Sequence, residues 1–286
     1  MNRLVSLLIC AGTLLFVSCS LSPLGSDSGL SGSDVGHNSE TGGGVSFNRP
    51  DNLIGDQPSE DSYVRVVVEL KSVEEGGPTY NYANTINLKA LSSVDIPDIE
   101  DGVYDVYAWA DSFSSDKDKV PFYNVENLRD ISFEAGGYGS FGLGYRTAYY
   151  VSQKNVTIDG GALNLDMQLP HGGYEIIMTN PYEKMSAEEK YEVTISYKNY
   201  LPSGFNIYNQ NVINSVVGVS YSMNLPEVTS QMTELCVGKD IVFCGSRESS
   251  VVVDVTICDD EGNVCYQSDP LQVPLERGLV KKVTLM

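Results

Sequence analysis

The sequence is poor in histidine: among 286 residues there are two, His37 and His171. A histidine-based triad or a zinc centre needs several such groups placed together, so both are nearly excluded. Basic residues are also scarce, 18 against 38 acidic ones, for a net charge of −20. Phosphate binding needs a basic face, so nucleic acid is excluded as a partner, and so is docking on anionic lipid by charge. The plain reading of the acid is solubility. No apolar run reaches the roughly 20 residues that a membrane-spanning helix requires. No GxSxG is present, and Gly136-Gly137-Tyr138-Gly139-Ser140-Phe141-Gly142 is followed neither by GK[ST] nor by a helix start, which excludes a phosphate loop. Helical signal is thin. Residues 124–129 predict one or two turns, and Ser186-Ala187-Glu188-Glu189 predicts a single capped turn.

What is present begins at the amino terminus. Arg3 precedes an apolar run over residues 4–16, about 13 residues, which is a signal segment and not a span. It ends in Leu14-Leu15-Phe16-Val17-Ser18-Cys19, similar to a bacterial lipobox, with Phe16 where Leu, Val or Ile is usual. Residues 1–18 are therefore expected to be removed, with Cys19 acylated and the chain held on the outer membrane by lipid. Whether it faces the periplasm or the exterior stays open. Two or more acyl chains anchor stably where one does so marginally. The Ser, Gly and Asp content that follows cannot bury enough surface to fold, so residues 19–59 are expected to be a flexible tether.

Beyond the tether the apolar pattern has period two. Val64, Val66, Val68 and Leu70 share a face opposite Arg65 and Glu69, and Val106, Ala108 and Ala110 lie opposite Asp105, Tyr107, Trp109 and Asp111. The same alternation recurs at residues 163–169, 193–198, 217–223 and 251–257. This predicts an all-β chain of antiparallel strands with one buried face each. The Pro170-His171-Gly172-Gly173 segment reads as a turn between domains. The expected organisation is two tandem antiparallel sandwiches, residues 60–170 and 171–286.

Of six cysteines, Cys10 leaves with the signal and Cys19 takes lipid. The other four, Cys236, Cys244, Cys258 and Cys265, form an even set in an exported chain and predict disulfides. No CxxC pair is present, which argues against zinc. Cys258 and Cys265 flank Asp259-Asp260-Glu261-Gly262-Asn263, so a hairpin would set them opposite each other. Cys236 and Cys244 would then pair across a turn at Gly238-Lys239-Asp240. The rival is a crossed pattern, Cys236 with Cys265 and Cys244 with Cys258.

No catalytic residue, metal ligand or cofactor is predicted. The acidic groups Asp95, Asp98, Glu100 and Asp101, and Asp111, Asp116 and Asp118, lack the DxDxDG order of a calcium loop. If the chain binds glycans, exposed aromatics should mark the site, and Tyr104, Tyr107 and Trp109 are the candidates. Packing inside the sandwich is the competing reading.

Tyr197-Lys198-Asn199-Tyr200-Leu201-Pro202-Ser203-Gly204-Phe205-Asn206-Ile207, followed by Gly218-Val219-Ser220-Tyr221-Ser222, resembles a motif of Bacteroidetes fimbrillin-like lipoproteins and of an uncharacterised family close to them. Residues 64–70 and 102–112 look like the first half of the same proteins. The resemblance implies tandem transthyretin-like sandwiches, a lipidated precursor, and a structural or adhesin-type role with other fimbrial subunits or surface ligands as partners. Polymerising members are cut after an arginine near the first strand. Here Arg49 precedes Pro50, which trypsin-like proteases usually refuse, and Arg65 lies inside a strand. The alternative function is a surface glycan-binding lipoprotein.

Overall fold

The structure, a computed structural model, describes residues 43–286 apart from 56, 97, 98, 161, 162, 188, 247 and 286. The signal segment, Cys19, His37 and residues 19–42 lie outside the described residues. The strands in chain order are β1 (Gly43–Asn48), β2 (Tyr63–Ser72), β3 (Thr79–Asn87), β4 (Val94–Ile96), β5 (Gly102–Ser114), β6 (Ile131–Ser132), β7 (Ala148–Ile158), β8 (Leu163–Asp166) and β9 (His171–Thr179). They continue as β10 (Tyr191–Tyr197), β11 (Leu201–Asn206), β12 (Asn211–Val216), β13 (Ser220–Asn224), β14 (Glu234–Phe243), β15 (Ser249–Asp259), β16 (Val264–Gln267), β17 (Leu271–Leu275) and β18 (Val280–Leu285). Among the described residues strands make up 54% and helical turns 8%, which places the fold in the all-β class.

Two cores organise these strands. The first lies between the sheet β3-β2-β5-β7 and the sheet β4-β1-β8. Val64, Val66, Val68 and Leu70 of β2 meet Val45 and Phe47 of β1 and Leu165 of β8 there. The second core joins β14-β9-β18 to the sheet carrying β13, β10, β15, β16 and β17, through residues such as Tyr174, Ile176, Val193, Ile195, Val253 and Val255. A third small sheet, β12-β11-β6, adds Leu201 and Phe205. The long connection between β5 and β7 belongs to the second core, although it lies within the first half of the sequence. Phe122, Phe133, Tyr138 and Tyr145 from that connection are all buried there.

Strand β5 is consequently buried on both faces. Val106, Ala108 and Ala110 face the first core, and Tyr107 and Trp109 face the second. The alternation in sequence assigned these two faces correctly, but both are interior.

Each half closes in the same way. β1 pairs parallel with β8, Val45 opposite Leu163, and β9 pairs parallel with β18, Val280 opposite Gly173. The first strand of each half thus lies beside its last. The expectation of purely antiparallel pairing is corrected at these two places, since a parallel pair needs only a long crossover and here the rest of the half supplies it.

Three local expectations are also corrected. Residues 43–48, assigned by composition to the tether, form β1, because Val45 and Phe47 provide an apolar face that is 1% and 4% exposed. Residues 171–173 are not a turn but the start of β9. Gly172 is required there by close approach, since a Cβ would meet Cys244 Sγ and the Glu276 carbonyl oxygen at 2.7 Å. Residues 124–129 form no helix; Asn124 instead bridges to Ser132.

Candidate functional site

Tyr104, Tyr107 and Trp109 are 2%, 1% and 0% exposed, so none of them is a surface platform. The glycan-site expectation at these residues is corrected: both faces of β5 are covered. The Tyr104 hydroxyl donates to the Glu100 carbonyl at 2.9 Å, and burial pushes its pKa up to about 12. Trp109 meets Tyr123 edge-on with ring centroids 5.4 Å apart. Tyr107 stacks on Tyr208 at 3.7 Å. Tyr208 in turn donates to Glu69 and carries the Arg129 guanidinium 4.1 Å above its ring.

No disulfide joins the four described cysteines in the structure. Cys236 lies in β14 and Cys244 just beyond its end, along one extended run with no turn at Gly238-Lys239-Asp240. At about 3.3 Å per residue they are roughly 26 Å apart, far outside disulfide reach. The Cys236–Cys244 pairing is therefore corrected. The hairpin around Asp259-Asp260-Glu261-Gly262-Asn263 does form. Gly262 has φ of 85°, and the Asp259 carboxylate accepts from the Glu261 and Asn263 amides at 3.0 and 2.8 Å. A bulge shifts the register, however, so that Cys258 faces Val264 and Ile257 faces Tyr266. Cys265 is the extra residue. Burial raises the Cys244 thiol to about 11 and pushes Cys236 and Cys265 upward as well, which keeps all three protonated at neutral pH.

A buried polar network fixes the β5–β7 connection to the second core. Arg146, from the short helix Leu143–Arg146, pairs with Asp240 of β14 at 2.7 Å. The other Asp240 oxygen accepts from Tyr138 at 2.6 Å and Tyr197 at 2.7 Å. Tyr197 reaches Tyr174 at 2.9 Å, and Tyr174 reaches Tyr221 at 3.2 Å. The Arg146 guanidinium also lies over the Tyr138 ring at 4.1 Å. Burial holds the tyrosine hydroxyls far above their ordinary titration range. The network is built around a buried ion pair, a source of specificity and order.

The described surface carries a groove of about 1020 Å³ between the outer face of β2 and β3 and residues 120–134. Its floor holds Arg65 and Val67, its rim Asn81, Asn124, Asn127 and Glu126. Arg65 is held as a fixed fork. Nε and Nη2 donate to the two oxygens of Asp111 at 2.8 and 2.5 Å, and Nη2 also donates to the Tyr123 carbonyl at 2.8 Å. Asp111 is fully buried, so the guanidinium is neutralised from within while one edge stays at the groove. The arrangement suits neutral acceptors such as carbonyls and hydroxyls. The sequence offered little sign of it. Arg65 reads as the polar face of an amphipathic strand, and nothing in its neighbourhood tells that residues 120–134 fold over that face.

The sequence profile of a family of unknown function, DUF6562, matches residues 46–284. The chain belongs to that family. No curated protein matches this DUF6562 chain in sequence. Among solved structures it is similar to a candidate cell adhesion protein from Bacteroides ovatus, 10% identical, with a TM-score of 0.50 over 85% of this chain and 91% of that one. It is also similar to the fimbrial anchor protein Mfa2 from Porphyromonas gingivalis, 15% identical, TM-score 0.38, covering 80% and 82%. A third likeness is to candidate polysaccharide binding proteins from Bacteroides thetaiotaomicron, 12% identical, TM-score 0.43, covering 78% of each chain. At these identities the first likeness is one of fold, and the other two are weaker. The shared fold agrees with the fimbrillin-like resemblance of residues 197–222.

Proposed function

We propose that the chain is a non-enzymatic cell-envelope protein of adhesin or fimbrial structural type, held on the outer membrane by lipid at Cys19. The observation that carries this reading is the fold, shared along 85% of the chain with a candidate cell adhesion protein. The interior supports it. The buried Asp111, Arg146 and Asp240 and the half-buried Arg65 are tied to one another in pairs and serve rigidity. Arg49 favours a subunit that keeps its own first strand over one that is cut and polymerises. Its side chain is 15% exposed, its guanidinium lies 5.6 Å from the Phe113 ring and 5.8 Å from Tyr149, and Pro50 follows. Palmitate labelling, membrane fractionation and cell-attachment assays on wild type and Cys19→Ala test the proposal. Label uptake, release of the variant and loss of attachment are expected. An unlabelled wild type, or full attachment by a released variant, overturns it.

A second reading, binding of a surface polysaccharide, is favoured by the groove at Arg65 with its amide-lined rim. Asn81→Trp should fill that groove. A glycan array on which wild type binds and this variant does not supports the reading; silence from both removes it.

A further inference from the structure

The described sheets have several free edges, and all but one are protected. β4 has three residues and β6 two. β8 and β16 have four each; β8 carries Asp166 and β16 the bulge. β17 contains Pro274, and β12 contains Asn214 in the left-handed region at φ 54°. β18 presents Lys281 and Lys282. β14 carries Lys239, Asp240 and a register shift, and β7 carries Lys154 and a left-handed Asn155. β13 is only five residues long, and the Gly139 turn closes on it at Ser220. These are the devices by which soluble proteins keep their edges from pairing.

β3 has none of them. Its nine residues, Thr79-Tyr80-Asn81-Tyr82-Ala83-Asn84-Thr85-Ile86-Asn87, pair with β2 from Lys71 to Tyr63 without a register break. They contain no charge, no proline and no left-handed residue. The strand is firmly seated, with Tyr80, Tyr82 and Ile86 packed on the first core and Tyr80 edge-on to Tyr104 at 5.9 Å. Its other edge is open, and Ala83, Asn84 and Thr85 are all exposed.

We propose that β3 is a homotypic interface, pairing antiparallel with β3 of a second copy about a two-fold axis at Ala83. Charge selects this occupant. A chain of net charge −20 repels its own copies over most of its surface, and an uncharged edge is where two can meet. The strand is also complementary to itself in that register. Tyr80 falls opposite Ile86 and Asn81 opposite Thr85, an aromatic–aliphatic pair and a hydrogen-bonding pair, each formed twice. The pairing leaves β1 in place and does not depend on the envelope reading.

Charge swapping at the axis tests it. Ala83→Lys puts two ammonium groups face to face across the dimer, and Ala83→Glu puts two carboxylates there. Sedimentation of the full chain should give a reversible dimer for wild type and self-association at least about tenfold weaker for either variant. An equimolar mixture of the two variants should recover the dimer. That recovery separates a lost interface from a damaged fold, and unchanged thermal unfolding of each variant checks the same point. In cells, Ala83→Cys should form a disulfide-linked species of twice the monomer mass, while Ser222→Cys on β13 should match the wild-type background. A monomeric wild type, variants that dimerise like wild type, a mixture that stays monomeric, or Ala83→Cys linked only to a different protein overturns the proposal.

Discussion

The Tyr123 hydroxyl donates its proton to the Arg146 carbonyl at 2.6 Å while lying 2.9 Å from Nε2 of His171. A hydroxyl has one hydrogen, so Nε2–H must be the donor to Tyr123. His171 is then the neutral Nε2–H tautomer, and its Nδ1 is buried without a partner. The ring stacks on Phe243, with centroids 4.9 Å apart and planes 7° from parallel. Burial, and secondarily the Arg146 charge, lower its pKa from 6.5 to about 3.

The unfolded chain therefore binds a proton at this site between pH 6.5 and 3 that the folded chain does not. Stability should be complete above pH 6.5 and fall with pH through that window. At roughly 1.4 kcal/mol per unit the loss is on the order of 5 kcal/mol. Guanidinium unfolding at several pH values should show this slope in wild type and a shallower one in His171→Gln. Parallel slopes would refute the assignment.

Asp240→Ala leaves Arg146 buried without its partner and removes the acceptor of Tyr138 and Tyr197. A loss of about 3–5 kcal/mol is expected. The double variant Arg146→Met, Asp240→Leu should lose less than Asp240→Ala alone, because no orphaned charge remains. A double-mutant cycle measured by denaturant midpoint checks this, and additive losses would count against a coupled pair.

Gly172→Ala sets a methyl group against the Glu276 backbone and Cys244. Overpacking of this kind costs about 1–3 kcal/mol. Gly44→Ala, where nothing lies within 4 Å, serves as the comparison and should cost far less. Thermal melts that rank the two the other way would refute the close-approach account.

Non-reducing peptide mapping of exported protein should find Cys236 and Cys244 unlinked to each other. We propose that any intrachain bridge joins Cys258 to Cys265 beside the β15–β16 bulge. A Cys236–Cys244 or Cys244–Cys258 peptide would contradict the geometry.

The strands were legible because a half-buried strand writes its burial into every second residue. In residues 64–70, 251–257 and 193–197 the alternation marks a strand, and each has the expected face inside. What was hidden lay wherever burial depends on a distant segment. Period two in β5 distinguishes two faces but not whether both are covered, so Tyr107 and Trp109 looked available until residues 115–147 closed over them. The glycines at 172 and 173 looked like a turn because glycine tolerates both a turn and a crowded strand. Val45 and Phe47 were too short an apolar signal to stand out from the Ser- and Gly-rich stretch before them. A bulge adds one residue without any compositional mark, so the Cys258–Cys265 register was beyond the reach of spacing.

The position of β1 has a mechanical consequence. Any pull transmitted through the amino terminus arrives at Gly43 and runs along the axis of a strand held on both sides, by β4 and by β8. The ladders on both flanks then resist together, in shear, instead of opening one bond at a time. Rupture should require the first core to yield as Val45 and Phe47 are drawn out of it. Stretching single molecules from the amino terminus should accordingly give one high-force event at the start of extension, where a fraying edge strand would give a soft ramp.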